Sequence, residues 1–175
     1  MHQSQRSTNI PILYSQMLIR ETKSCDYELN DIIENTNLSL KTIENSEHTI
    51  SPQTQNIILD NVLKKTSRSP TEIAFNLGEK LHLSSHGTIG ILLFSCPNIQ
   101  CLLEDFVSYA SYSLPFGMIS LAENNTHLIL KLSDVLPKLH HQFYYETAAS
   151  NIQKVLEDFL GTDVNHGSIH FPYKP

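Results

Sequence analysis

Apolar residues recur along this 175-residue chain mostly at helical spacing, interrupted once by a stretch that alternates. Pro11 opens a first predicted helix with Leu13, Met17 and Leu18 on one face, and Leu29, Ile32 and Ile33 mark a second near Asp26 to Asn35. Asn35 to Glu47 reads as a turn and a brief helix. Ser51-Pro52 is a stronger start, with the hydroxyl as N-cap and proline at the first helical position. Ile57, Ile58, Val62 and Leu63 carry that helix to about Thr66. Ser69-Pro70-Thr71-Glu72 reads as a capping box; its helix bears Ile73, Phe75 and Leu77 and weakens near Gly78.

Thr88 to Phe94 is apolar throughout, so its period does not separate helix from strand. Asn98 then caps a helix in which Ile99, Leu102, Leu103, Phe106 and Ala110 follow the i, i+3, i+4 pattern up to Pro115. From Phe116 the texture changes. Met118, Ser120 and Ala122 alternate, Glu123-Asn124-Asn125 turns, and Leu128, Leu130 and Leu132 alternate again, which predicts a β-hairpin. A long amphipathic helix follows from about Pro137 to Leu160, with Leu139, Phe143, Ile152, Val155, Leu156 and Phe159 inside and Gly161 as its C-cap. Gly167 to Pro172 reads as one more strand. The fold class is therefore α+β: a helical N-terminal layer on a small antiparallel sheet, with a long helix in the C-terminal half. Residues 1–9 are polar and expected to be flexible, leaving 10–175 as one domain.

Charge narrows the function. The formal net charge is −6 and the pI about 5.8, against the basic face that phosphate neutralisation needs. The one local basic cluster, Lys64-Lys65 with Arg68, reads as a solvated helix end. No apolar run is long enough to span a membrane, and the N-terminus lacks a signal-peptide pattern. Three scattered cysteines, Cys25, Cys96 and Cys101, argue for reduced thiols and a cytoplasmic setting.

The block Leu77 to Pro115 carries a specific pattern: Leu77-Gly78, Ser85-His86-Gly87, Gly90, the apolar run Ile91 to Phe94, Ser95-Cys96-Pro97-Asn98-Ile99, Leu102-Leu103 and Tyr109. This resembles the middle of the N-terminal effector domain of AraC/XylS-type transcription regulators, the arabinose-binding-like domain. The Ser51-Pro52-x-Thr54 and Ser69-Pro70 starts, Glu146 early in the long helix, Leu160-Gly161, and Ile169-His170-Phe171 with Pro175 extend the likeness over roughly Pro11 to Pro175. The resemblance favours a helix for Thr88 to Phe94. It implies an effector-binding or dimerisation domain, truncated relative to the family. It also implies homodimers, and contact with DNA only through a helix-turn-helix domain lying outside this sequence.

Candidate chemistry concentrates at His140-His141 with Tyr144, Tyr145 and Glu146, a polar-aromatic cluster whose helix has an apolar inner face. With Tyr109 and Tyr112 it suggests a pocket for a small, apolar or amphipathic effector, the alternative being histidines in water and tyrosines that merely pack. His86, Gly87 and Gly90 read as a structural turn in which His86 bonds backbone. No cofactor is expected. The pairs His82/His86 and His166/His170 straddle turns, and Cys96-x4-Cys101 encloses a proline, which is not a usual zinc spacing. Glu104-Asp105 and Glu157-Asp158 read as solvated acids. There is no Gly-x-Ser-x-Gly elbow, P-loop or Gly-x-Gly-x-x-Gly motif. A ligand-free interaction module, and a small hydrolase or metal protein, are the rival readings.

Overall fold

A computed structural model describes residues 9–23, 27–45, 47–113, 117–124, 126–134 and 140–173, with side chains at all of these except 111–113, 117, 118 and 134. The fold is α+β: eight α-helices among the described residues and two antiparallel two-stranded sheets. The chain divides into two compact units, Met1–Ser67 with Ser113–Pro115, and Arg68–Tyr112 with Phe116–Pro175.

In the first unit, strand β1 (Ile10–Pro11) pairs with β2 (Thr49–Ile50), and helices α1 (Leu13–Glu21), α2 (Leu29–Ile32), α3 (Leu40–Glu44) and α4 (Pro52–Lys65) complete it. Pro11 thus sits in a strand rather than opening a helix. Ile10 and Ile12 on either side are fully buried, and an edge position asks no amide hydrogen of the proline. The inner face of α1 also differs from expectation. Leu18 is buried, but Ser15, Gln16 and Glu21 accompany it, and Leu13 and Met17 are only half-buried. Burial of those polar groups is compensated: Ser15 donates to Gln55 of α4, and the Gln16 amide donates to the Ile43 carbonyl at 2.8 Å. The expected helix from Asp26 to Asn35 shrinks to α2, and Asp26 lies outside the described residues. Ser51 caps α4 as its sequence demands, accepting the Thr54 amide at 3.1 Å.

The second unit holds α5 (Pro70–Lys80), a 3-10 turn at Leu83–His86, α6 (Thr88–Phe94), α7 (Ile99–Ser113), the hairpin β3 (Gly117–Glu123) and β4 (Leu128–Asp134), and α8 (His141–Leu160). Thr88 to Phe94 is helical. Asn98 begins α7 by accepting the Cys101 amide at 2.9 Å, and Leu102, Leu103, Phe106 and Ala110 form its buried stripe. The hairpin runs in register from Gly117 opposite Asp134 to Glu123 opposite Leu128. Gly161 ends α8 in the left-handed conformation, φ +66°. Pro115 and the stretch 135–139, where the sequence opened the long helix, lie outside the described residues.

Two expectations fail around α5. Ser69 makes no side-chain capping bond, and the Glu72 carboxylate, expected to reach back to the cap, is instead engaged by Arg68 at 2.9 Å. Gly78 lies in the last turn of α5, near the helix end as expected, and a Cβ there would meet Ser150 Cβ at 2.5 Å and the Thr147 carbonyl oxygen at 2.6 Å. The glycine lets α8 approach backbone to backbone. Phe75, expected inside, is 36 % exposed, and Ala74 is buried in its stead. At the other end of the chain, Gly167 to Pro172 forms no strand; it is an irregular, mostly exposed tail.

Candidate functional site

Helix α8 is the organising element of the second unit. Its buried side chains include Glu146, Ser150 and Asn151 beside Phe143, Ala149 and Val155. Burying those polar groups is costly unless each finds a partner. Ser150 donates to the Phe75 carbonyl at 2.8 Å, and the Asn151 amide donates to the Leu81 carbonyl at 2.6 Å, capping the end of α5. Farther along, Asp158 accepts the Leu83 amide at 2.9 Å and contacts His82 Nδ1 at 3.1 Å. Asp158 is therefore not a solvated acid. Burial by itself would raise its pKa, but the Leu83 amide, Lys154 and His82 outweigh that and hold the carboxyl below its ordinary value. The order of these contacts shows that α5 and α8 run in the same direction.

Glu146 is the most constrained group on this helix, only 5 % exposed. Its Oε1 accepts from Gln142 Nε2 at 2.9 Å, from Thr71 Oγ1 at 3.3 Å and from the Tyr173 hydroxyl at 3.3 Å. Its Oε2 is buried and has no hydrogen-bond partner among the described residues. Tyr173 belongs to the tail. Its pKa is pushed up to about 12 by burial and by the negative charge and hydrogen bond of Glu146, which keeps the phenol a neutral donor. Tyr173 stacks on Phe171, with centroids 5.3 Å apart, and lies 6.5 Å from the Tyr145 ring. The tail is thereby fastened to the first half of α8.

The structure brings together several of the residues singled out by sequence. His141 meets Tyr145 edge-on at 6.1 Å, Tyr144 meets Phe143 at 5.9 Å, and Tyr145 and Glu146 converge on Tyr173. His140 is buried at the N-cap of α8. Tyr109 is half-buried on α7 and packs edge-on against His86 at 6.1 Å; the side chain of Tyr112 lies outside the described set. His86 does not bond backbone through Nε2, which is buried without a partner among the described residues, and burial lowers its pKa. The turn around it depends on its glycines. Gly87 takes φ +60°, and a Cβ on Gly90 would overlap the Leu83 carbonyl oxygen. Sequence reasoning missed Thr71, Gln142 and Tyr173. Gln142 stands one helical turn before Glu146 and was findable as an i, i+4 pair; the other two are brought in by tertiary structure alone.

A second cluster forms where α6 meets α7. Cys96, Cys101 and Asp105 place two sulfurs and a carboxylate oxygen within 4.8 Å of one another. Both cysteines are free thiols. Burial, Cys101 and Asp105 together push the Cys96 thiol up to about 12. Beside it, α6 exposes Ile91, Leu92 and Phe94.

A family model described as the arabinose-binding domain of AraC transcription regulators, N-terminal, matches residues 28–175. The chain belongs to that family, a regulatory ligand-binding domain of transcription regulators. No curated protein and no solved structure matches the chain. No helix among the described residues is long and apolar enough to cross a membrane.

Proposed function

We propose that this chain is the effector-sensing part of an AraC-type transcription regulator and that Glu146 reads the polar end of its effector. One observation carries the reading: a carboxylate fixed on α8 keeps one oxygen satisfied three times over and the other buried with no partner among the described residues. An unmet buried acceptor costs about 1–3 kcal/mol, which a ligand's donor would return. Tyr144, Tyr145 and Phe143 supply aromatic surface nearby, so an amphipathic molecule bearing a hydroxyl or amine is the expected chemistry. The aromatic tail makes occupancy consequential. A donor arriving at Oε2 would fix the carboxylate whose Oε1 holds Tyr173, so binding shifts the population towards the tail-fastened state. In a full-length regulator, the tail state would be conveyed to a helix-turn-helix domain. No hydrolytic role is proposed.

The test is a thermal-shift survey of small amphipathic alcohols and amines. An effector at a hundredfold excess over its Kd should stabilise the protein by about 2.7 kcal/mol. Glu146→Gln should abolish that response. If a stabilising compound acts equally on Glu146→Gln, the assigned residue is wrong.

A second reading has its own observation. Ile91, Leu92 and Phe94 are 71 %, 56 % and 49 % exposed on one seven-residue helix, an apolar surface suited to a second copy of the chain. Melting that depends on protein concentration, and on no compound, would favour pairing over sensing.

A further inference from the structure

We propose that Cys96, Cys101 and Asp105 form a binding site for a thiophilic divalent cation of the zinc type. The three residues arrive from two places. Cys101 occupies the first turn of α7, and Asp105 stands one turn later on the same face. Cys96 lies in the link before α7, where its amide donates to the Leu93 carbonyl at 3.3 Å. The Asn98 cap fixes the Cys101 end of that link. Backbone bonds thus hold all three positions before any ion arrives.

The spacing matches a coordination tetrahedron. Bonds of about 2.3 Å to sulfur and about 2.0 Å to oxygen put a ligating sulfur and oxygen roughly 3.5 Å apart and two sulfurs roughly 3.8 Å apart. Here Asp105 Oδ2 lies 3.5 Å from Cys96 Sγ and 3.9 Å from Cys101 Sγ. All three atoms fall within 4.8 Å of one another. Two sulfurs favour zinc-type ions over magnesium or calcium, which take oxygen donors. Both cysteines are half-buried and Asp105 is exposed, so solvent reaches the cluster and water can take the fourth position. Binding is a proton exchange: two thiols each lose a proton to solvent as two metal–sulfur bonds form, with no change of oxidation state. The ion would tie the α6–α7 link to the first two turns of α7.

Cobalt(II) is the probe, added to the full chain kept reduced with a phosphine. The expected result is sulfur-to-cobalt charge-transfer absorption that saturates at one ion per chain and is displaced by zinc(II). Cys96→Ser and Cys101→Ser should each abolish it, Cys25→Ser should retain it, and Asp105→Asn should weaken binding by about tenfold or more, a range that even outer partners of metal sites command. No thiolate band, or one that survives Cys96→Ser, overturns the proposal. A readout on the unsubstituted protein covers variants that fail to fold. Zinc(II) should slow alkylation of Cys96 and Cys101 but not of Cys25, as mapped by mass spectrometry; equal alkylation with and without zinc overturns it.

Discussion

The seam between α5 and α8 and the corner between α6 and α7 treat water in opposite ways. The seam buries polar side chains: Glu146, Ser150 and Asn151 are each at most 6 % exposed. The corner leaves Ile91, Leu92 and Phe94 in solvent and gathers two thiols beside a carboxylate. Both depart from simple inside–outside patterning, but for different reasons. Ser150 and Asn151 satisfy carbonyls of α5, so their burial is architecture. Glu146 keeps an oxygen in reserve, and α6 keeps an apolar surface in reserve. The comparison separates buried polar groups whose bonds are complete, which belong to the fold, from the unmet acceptor and the wet hydrophobic face on which the two proposed readings rest.

The contrast can be broken most forcefully at the glycines. Gly90→Ala and Gly78→Ala should raise helix propensity by about 1 kcal/mol, yet each adds a Cβ that meets backbone of a neighbouring segment. Overpacking of about 1–3 kcal/mol or more should win, giving a net loss of about 2 kcal/mol for Gly78→Ala and a larger one for Gly90→Ala in urea denaturation. Unchanged midpoints would show that the segments are not in backbone contact.

Asn151→Ala should cost about 1–3 kcal/mol, because it strands the Leu81 carbonyl at the end of α5. A loss below about 0.5 kcal/mol would mean that water replaces the amide freely.

His86 tests the turn by pH. Burial lowers its folded-state pKa, so the unfolded chain takes up the proton first, near the ordinary value of about 6.5. The stability of the neutral ring is complete above that pH and declines as pH falls through it, by no more than about 1.4 kcal/mol per pH unit. His86→Phe should flatten this part of the pH–stability curve while preserving packing on Tyr109. A curve that keeps its slope would assign the effect to another group.

The smallest effect on stability is expected at the corner. Ile91→Ser with Phe94→Ser should change monomer stability by no more than about 0.5 kcal/mol, since both side chains already face solvent. The same pair should abolish any self-association measured by sedimentation. A large loss of stability would show that α6 is covered within the chain.

What the sequence disclosed was mostly local. Ser51 and Asn98 announced their helices, Gly161 its C-cap, and the alternation from Met118 to Leu132 its hairpin, because each signal acts over a few residues. The bounds of α2 and the bridge from Ile10 to Ile50 were not legible, because distant partners decide them, and nothing local to Ser69 revealed the loss of its cap. At the candidate site, Tyr145 and Glu146 were visible as a dense polar-aromatic cluster. Thr71 was not, since nothing in a helix start reveals a carboxylate 75 residues away. Asp105 is solvent-exposed as its sequence position suggested, but its approach to Cys96 was not legible, because it depends on the turn through Pro97 and Asn98.

The shared direction of α5 and α8 bears on how the chain reaches its final form. Two parallel helices cannot be joined by a short hairpin, so the chain must travel the length of the seam back before α8 begins. Asn151 reaches Leu81 across 70 residues and Asp158 reaches Leu83 across 75. Closing so long a loop costs entropy before any contact repays it, so this seam belongs among the later events of folding. Substitutions in it should therefore hasten unfolding more than they slow refolding, leaving the hairpin and α7 to assemble at nearly their native pace.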